Sequence, residues 1–272
     1  MKPILRPTVL CLLFAVASQA QELAHFSCQR PEPVEQGSAT NAAIACELVN
    51  GKVLKPGELF SFNRCMSPGL DRFVEGTAYA SGKVIRSEGG GVCQVSAAIY
   101  NAALLAGLEV EERHSHSVYD PATAYVPAGR DSAISRSVGA DMRFRNSTLA
   151  ALSLSVTAIG GLVEVRLYGH QRRPRERWII TEELRRLPHD RRERLEAALA
   201  PGTRSLKQKG FDGLRVRRQL CKGGPGGLTE CVSLGVDDYM QVTELWLVGP
   251  NALQGGGPPG TTPQALASPE AP

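Results

Sequence analysis

The clearest change of period in this 272-residue chain follows three consecutive glycines, Gly89 to Gly91. Apolar or small residues recur at 92, 95, 99, 102, 103 and 106, which is helical spacing. The opposite face, at 93, 97, 100, 104 and 108, is almost as apolar, so the pattern predicts a helix buried nearly all round. Gly107 is placed to end it. Leu108 and Val110 then alternate with charged residues in strand fashion, with His114 and His116 at the end of the run. A shorter helix is predicted over 41–49, stopped by Asn50-Gly51, and a strand over 58–62 puts Phe60 and Phe62 on one core face. Further strands are expected over 76–85, 141–145, 152–158 and 163–168. The fold class this implies is α+β, a buried helix packed on an antiparallel sheet.

Both ends of the chain and two breaks in composition set the domain limits. Lys2 and Arg6 precede an apolar run over 8–17, and Ser18-Gln19-Ala20 has the small residues of a cleavage site. Residues 1–20 are therefore expected to be a secretory signal peptide, too short in its core to span a bilayer. Residues 21–38 are polar and carry Pro31, Pro33 and Gly37, which predicts an irregular lead-in. A domain is expected over 39–170, a charged linker over 171–177, a small mainly β domain over 178–249 and a disordered tail over 250–272. No other run is apolar enough to cross a membrane.

Charge changes little. The formal net charge of +4 becomes +2 once Lys2 and Arg6 leave (29 basic minus 27 acidic side chains), which gives no reason to expect nucleic acid as a partner. No Lys-Ser or Lys-Thr follows the glycines, so they do not read as a phosphate loop. Cysteine count matters more. Six cysteines lie beyond residue 20: Cys28, Cys46, Cys65, Cys93, Cys221 and Cys231. In an exported chain an even number first suggests three disulfides. Cys221 and Cys231 are close enough to bridge a glycine-rich hairpin. Two of Cys28, Cys46 and Cys65 could pair, which would leave the third and Cys93 reduced.

A thiol in the first turn of a helix sits beside unpaired N–H groups and the positive end of the macrodipole, which favour the nucleophilic thiolate. The same N–H groups can stabilise an oxyanion, and glycines such as Gly90 and Gly91 would let a substrate backbone approach. Gln94 either polarises the oxyanion or caps the helix. Strand alternation puts His114 and His116 on one face, so spacing alone does not choose the base. In Gly129-Arg130-Asp131 the charges either form a solvated salt bridge, or Asp131 orients the imidazole while Arg130 binds a substrate carboxylate.

GGGVCQVSAAIYNAALLAGLEVEERHSHS, with PGELFSFN upstream and YVPAGRDSAI and DMRFRNST downstream, resembles a VanW-family domain from about residue 39 to 169. Where the family usually has Thr-Thr-Leu, this chain has Ala97, Ala98 and Ile99. The resemblance implies L,D-transpeptidation of peptidoglycan with Cys93 as nucleophile. It matches His116 to the family's histidine within an Arg-x-x-His-Ser pattern that adds Arg113 and Ser117 as candidate substrate-site residues. Residues 178–249 resemble a G-five cell-wall module, departing from it in the charged 185–196 stretch and in Cys221 and Cys231.

Three function classes follow. The first is an exported cysteine acyltransferase of the periplasm or cell envelope, needing no cofactor and acting on peptidoglycan stem peptides, with water or an amine resolving a thioester. Cell-wall glycan is a possible partner of its second domain. Next comes a non-catalytic wall-binding scaffold. The last is a metal site of Cys93, His114, His116 and Asp131, weak because no Cys-x-x-Cys knuckle supports it. The reading adopted is the first, with no metal.

Overall fold

The computed structural model describes residues 20–80, 83–170, 176–223 and 229–250. The expected signal peptide apart from Ala20, residues 171–175 of the linker and the tail after Pro250 lie outside them. The first domain runs β1 (Gln21–Gln29), α1 (Gln36–Val49), β2 (Val53–Leu54), β3 (Leu59–Ser61) and α2 (Phe62–Met66), then a 3-10 turn over Ser67–Arg72. It continues with β4 (Glu75–Ala80), β5 (Lys83–Glu88), α3 (Cys93–Ala106), β6 (Glu109–Glu112), β7 (Arg143–Arg145), β8 (Leu152–Ile159) and β9 (Leu162–Gly169). The class is α+β: α3 packs on β1 and β9 of an antiparallel sheet ordered β1-β9-β8-β2, and α1 packs on β8 of the same sheet.

α3 is sheathed in protein. Every residue from Gln94 to Leu104 is buried, including the Ala97-Ala98-Ile99 run, and Gly107 ends the helix in the left-handed region at φ 75°. Gly107 and Leu108 N–H groups return to carbonyls of the last turn, which satisfies otherwise orphaned acceptors. β8 alternates buried and part-buried positions, as one covered face requires. Phe60, Phe62 and Phe144 are fully buried, and Phe60 stacks on Phe144 with ring centroids 4.8 Å apart. Burying one such ring contributes on the order of 1.5–3 kcal/mol.

Several expectations need correction. Much of 21–38 is not irregular: β1 pairs along its length with β9, and α1 starts at Gln36, capped by the Glu35 carboxylate. The 76–85 stretch is the hairpin β4–β5 instead of one strand. β6 stops at Glu112, so neither histidine stands on a sheet, and β6 belongs to a separate small sheet, β3-β7-β6. Cys28, Cys46 and Cys65 are free and buried; no two of them pair.

The C-terminal module is mainly β, with β10 (Arg177–Leu187), β11 (Arg191–Leu195), β12 (Arg204–Gln208), β13 (Gly213–Gly223), β14 (Thr229–Tyr239) and β15 (Glu244–Val248). One sheet is ordered β10-β13-β14 and the other β11-β15-β12, with β11 parallel to β15. The charged stretch 185–196 forms the end of β10 and all of β11. Cys221 and Cys231 face each other across β13 and β14 and are disulfide-bonded. Closing a ten-residue separation adds roughly 2–3 kcal/mol in the chain-entropy account. The module touches the first domain beside α3. Leu214, Val216 and Tyr239 pack with Tyr119 and Ala128, and the Met240 N–H donates to the Ser117 carbonyl at 2.7 Å.

Candidate active site

The glycine run sets where α3 begins. Gly89 and Gly91 have φ of 75° and 109°, values that L side chains rarely adopt. A Cβ on Gly90 would lie 2.3 Å from the Gly76 backbone, and one on Gly91 would lie 2.6 Å from the Ser38 carbonyl oxygen. The Asn41 amide donates to the Gly90 carbonyl at 2.9 Å and to the Val74 carbonyl at 2.8 Å. Gly90 and Gly91 therefore face inward, against α1 and β4. Their smallness serves this close packing, not the substrate approach expected of them. Cys93 emerges from this anchored turn as the first residue of α3.

His116 lies on an irregular segment after β6, and its imidazole is near enough to Cys93 to act electrostatically on the thiol. The segment is held by Asp131. One carboxylate oxygen, Oδ2, accepts from the His116 backbone N–H and faces His116 Nδ1, each at 2.7 Å. The other, Oδ1, accepts from Arg113 Nη2 at 2.7 Å and from the Tyr239 hydroxyl at 2.6 Å. The loop around Asp131 is bound to α3 on one side and to the His segment on the other. Ser96 and Ser132 hydroxyls meet at 2.9 Å, Asn101 donates to the Arg130 carbonyl at 2.8 Å, and the Ala133 N–H donates to the His114 carbonyl at 2.8 Å. The Ile134 N–H points at Cys93 Sγ, 3.5 Å away.

Electrostatics follow from this wiring. Burial alone would push the Cys93 thiol up. The neighbouring His116 imidazole, the Ile134 N–H and the Arg30 guanidinium act the other way and prevail, so the thiol lies below its ordinary range. Burial would lower His116, but Asp131 on one side and Cys93 on the other raise it to about 10. Asp131 would be raised by burial; His116 and Arg113 instead hold it well below the usual carboxylate range. These opposite shifts favour a thiolate–imidazolium pair braced by a carboxylate. By contrast, burial pushes the Cys28 and Cys46 thiols up to about 12.

The remaining expected residues separate. His114 is exposed and its ring meets the Glu112 carboxylate at 2.9 Å. Among the described residues no three His, Cys, Asp or Glu side chains converge as metal ligands. The Gln94 amide donates to the Cys28 and Gly161 carbonyls at 3.2 and 2.7 Å, which binds α3 to β1 and to the β8–β9 turn. Arg113 is consumed by Asp131 and by Asp237. Arg130 donates to Asn101 Oδ1 at 2.8 Å and lies over the Phe26 ring. Ser117 meets the C-terminal module through its carbonyl.

Arg30 was not expected. It follows β1 directly, lies 5.3 Å from the Tyr125 ring centroid, and makes long bonds of 3.3 and 3.4 Å to Gln94 Oε1 and the Gly91 carbonyl. The alternation Ala24, Phe26, Cys28 is a strand signal that could have placed it. A cavity of about 60 Å³ borders His116 and Asp131, walled by Val118, Tyr125 and Val126.

The arrangement brings a cysteine, a histidine and an aspartate together on an α+β scaffold. Residues 37–168 match the family described as VanW like protein, and this part of the chain is a VanW domain. The chain is 31% identical over 150 residues to the uncharacterized protein YoaR of Bacillus subtilis (strain 168), covering 54% of this chain and 46% of the relative. It is 30% identical over 128 residues to the vancomycin B-type resistance protein VanW of Enterococcus faecalis (strain ATCC 700802 / V583), covering 45% of this chain and 46% of that one. The matches thus span less than half of either relative. Two solved G5 domains are also similar to part of the chain. That of IgA1 protease has 15% identity and a TM-score of 0.20, with 29% of this chain and 96% of that chain covered. The HP0197 domain has 20% identity and a TM-score of 0.18, with 28% and 95% covered.

Proposed function

We propose that the VanW domain is a cysteine acyltransferase of the cell envelope acting on peptidoglycan stem peptides, and that its reaction is L,D-transpeptidation. The observation that carries this reading is Cys93 at the start of α3 with His116 beside it, its ring and backbone held by Asp131. The name of the Enterococcus relative, a vancomycin resistance protein, supports a cell-wall substrate.

In this reading the Cys93 thiolate attacks the carbonyl carbon of the third stem residue. The carbonyl electron pair moves to oxygen, and the positive end of the α3 dipole stabilises the oxyanion. Collapse expels the terminal D-Ala amine, which takes the His116 proton, and leaves a thioester on Cys93. An amine from a neighbouring stem then loses its proton to His116 and attacks the thioester, forming the cross-link and releasing the thiolate. Asp131 keeps the imidazole aligned in both steps. Arg30, near Cys93 and with long side-chain bonds of 3.3 and 3.4 Å, supplies the positive charge for a stem carboxylate. The role earlier given to Arg130 passes to it, because Arg130 is tied to Asn101.

The test is mass spectrometry of muropeptides from a cross-link-deficient cell expressing the full chain or its Cys93→Ala variant. New 3–3 cross-linked species are expected with the first and not the second. Identical profiles would reject the enzyme.

A further inference from the structure

β14 belongs to the C-terminal module, yet two of its side chains end inside the catalytic site. The Tyr239 hydroxyl donates to Asp131 Oδ1 at 2.6 Å and accepts from the Gly129 N–H at 2.6 Å. Two positions back on the same strand, Asp237 Oδ2 accepts from Arg113 Nη1 at 2.6 Å. The same guanidinium donates from Nη2 to Asp131 Oδ1 at 2.7 Å and from Nε to the Asp131 carbonyl at 2.6 Å. Arg113, Asp131 and Asp237 side chains retain only 5–7% of their surface. Arg218 of β13 lies 3.1 Å from Asp237 and donates to the Tyr100 hydroxyl on α3 at 2.9 Å.

The division of Asp131 between its two oxygens is what gives these contacts a role. Oδ2 serves His116 alone, and Oδ1 is fixed by Arg113 and Tyr239. A carboxylate rotates about one bond, so whatever fixes Oδ1 also fixes the direction from which Oδ2 meets the imidazole. A buried guanidinium facing one carboxylate carries surplus charge that weakens that carboxylate's hold on its other partner. Asp237 balances Arg113 and leaves Asp131 free to act on His116. Around this centre the charged and titratable groups are Arg113, Asp237, Arg218, Tyr100, Tyr119 and Tyr239 on the Asp131 side. On the sulfur side they are Arg30 and Tyr125.

We propose that the C-terminal module is a working part of the catalytic site, with Tyr239 and Asp237 as positioning residues that fix Asp131, directly and through Arg113, and so set His116 against Cys93. This rests on the Cys93–His116 reading but not on the identity of the substrate. The module is then more than a wall-binding appendage, because the nucleophile's state depends on β14.

The test reads the thiol directly. Full-length protein is alkylated with iodoacetamide across pH, and the rate at Cys93 is followed by peptide mass spectrometry. Tyr239→Phe keeps the ring that packs on Leu214 and Val216 and removes only the hydroxyl; Asp237→Asn keeps the shape and removes the charge. Both are expected to raise the half-point of the alkylation profile by at least ~0.5 pH unit, as the loss of one charged-group hydrogen bond would. Both should slow the reaction at pH 7 about threefold or more. Lys209→Gln breaks an inter-module ion pair to Asp120 that does not touch Asp131, and its profile should match wild type. A general loosening of the interface would instead shift all three. Superimposable profiles for wild type, Tyr239→Phe and Asp237→Asn would overturn the proposal, as would an equal shift in Lys209→Gln. If either variant fails to melt cooperatively, the other decides. Shifted profiles without any cross-linked muropeptide would sustain this proposal and remove the transpeptidase reading. A wild-type Cys93 no more reactive than an ordinary thiol would remove both.

Discussion

Asp131→Asn is the most informative single change, because the geometry forbids the amide from replacing the carboxylate. Asp131 accepts two bonds at each oxygen: His116 N–H and Nδ1 at one, Arg113 Nη2 and the Tyr239 hydroxyl at the other. An asparagine offers one oxygen and one NH2. Whichever way it turns, the NH2 confronts two donors. Two charge-assisted bonds are lost, each worth roughly 1.5–3 kcal/mol. Breaking a buried ion pair from one side costs about 3–5 kcal/mol, which brackets the same loss. That is a large share of a total stability of about 5–15 kcal/mol.

The pH dependence has a definite sign. Asp131 is shifted down, so its contribution is present above the unfolded value of about 3.9 and fades as pH falls. His116 is shifted up to about 10, so its contribution is full below about 6.5 and fades as pH rises through about 10. The gap between wild type and Asp131→Asn in urea unfolding should therefore be widest near pH 5–6.5. It should narrow toward pH 10 by the share belonging to His116 and keep the share belonging to Arg113. Alkylation of Cys93 at pH 7 should slow in the variant, since the imidazolium is no longer held. A variant within about 1 kcal/mol of wild type at pH 6 would refute the placement of Asp131 at the centre of the site.

Other outcomes follow from the same contacts. His116→Ala should lower turnover by about a hundredfold or more, the usual effect of losing a general base, while His114→Ala should leave it nearly unchanged; equal losses would show that the exposed histidine matters. Gly90→Ala should destabilise by ~2–3 kcal/mol in thermal or urea unfolding, because its Cβ meets the Gly76 backbone at 2.3 Å; a neutral result would mean that the turn can shift without cost. Native iodoacetamide labelling at pH 7 should modify Cys93 and spare Cys28 and Cys46, whose thiols burial holds near 12; equal labelling would contradict the described core. Arg30→Gln should raise KM for an anionic stem peptide about tenfold while leaving iodoacetamide labelling of Cys93 within about threefold, and an unchanged KM would return the search for the carboxylate anchor to other residues.

What the sequence made legible was local. The α3 periodicity, its stop at Gly107 and the alternation of β8 and β9 all arise from residues within a few positions of one another, and the structure has them. β1 was read as irregular because its stability comes from β9, more than 130 residues away, and its exposed face is polar. The two histidines were placed on one face because strand alternation was carried past Glu112. In the fold, Asp131 takes the His116 N–H at 2.7 Å and draws His116 toward Cys93, while His114 turns to Glu112. No period reports such a bond.

The glycines illustrate the same boundary from the other side. Three in a row before a helix suggested room for a substrate, but at Gly90 and Gly91 that room is already filled by Gly76 and Ser38. Only Gly89 has nothing within 4 Å of the place where its Cβ would stand. The run therefore acts on the chemistry indirectly. It allows α3 to start hard against α1 and β4, and that fixes Cys93 before any partner is considered. Asp131 fixes His116 in turn, and Tyr239, 108 residues further along, fixes Asp131. Each partner in the site is held by a contact distant in sequence, so residue types and spacing can nominate a nucleophile and a base, whereas only the fold can say what orients them.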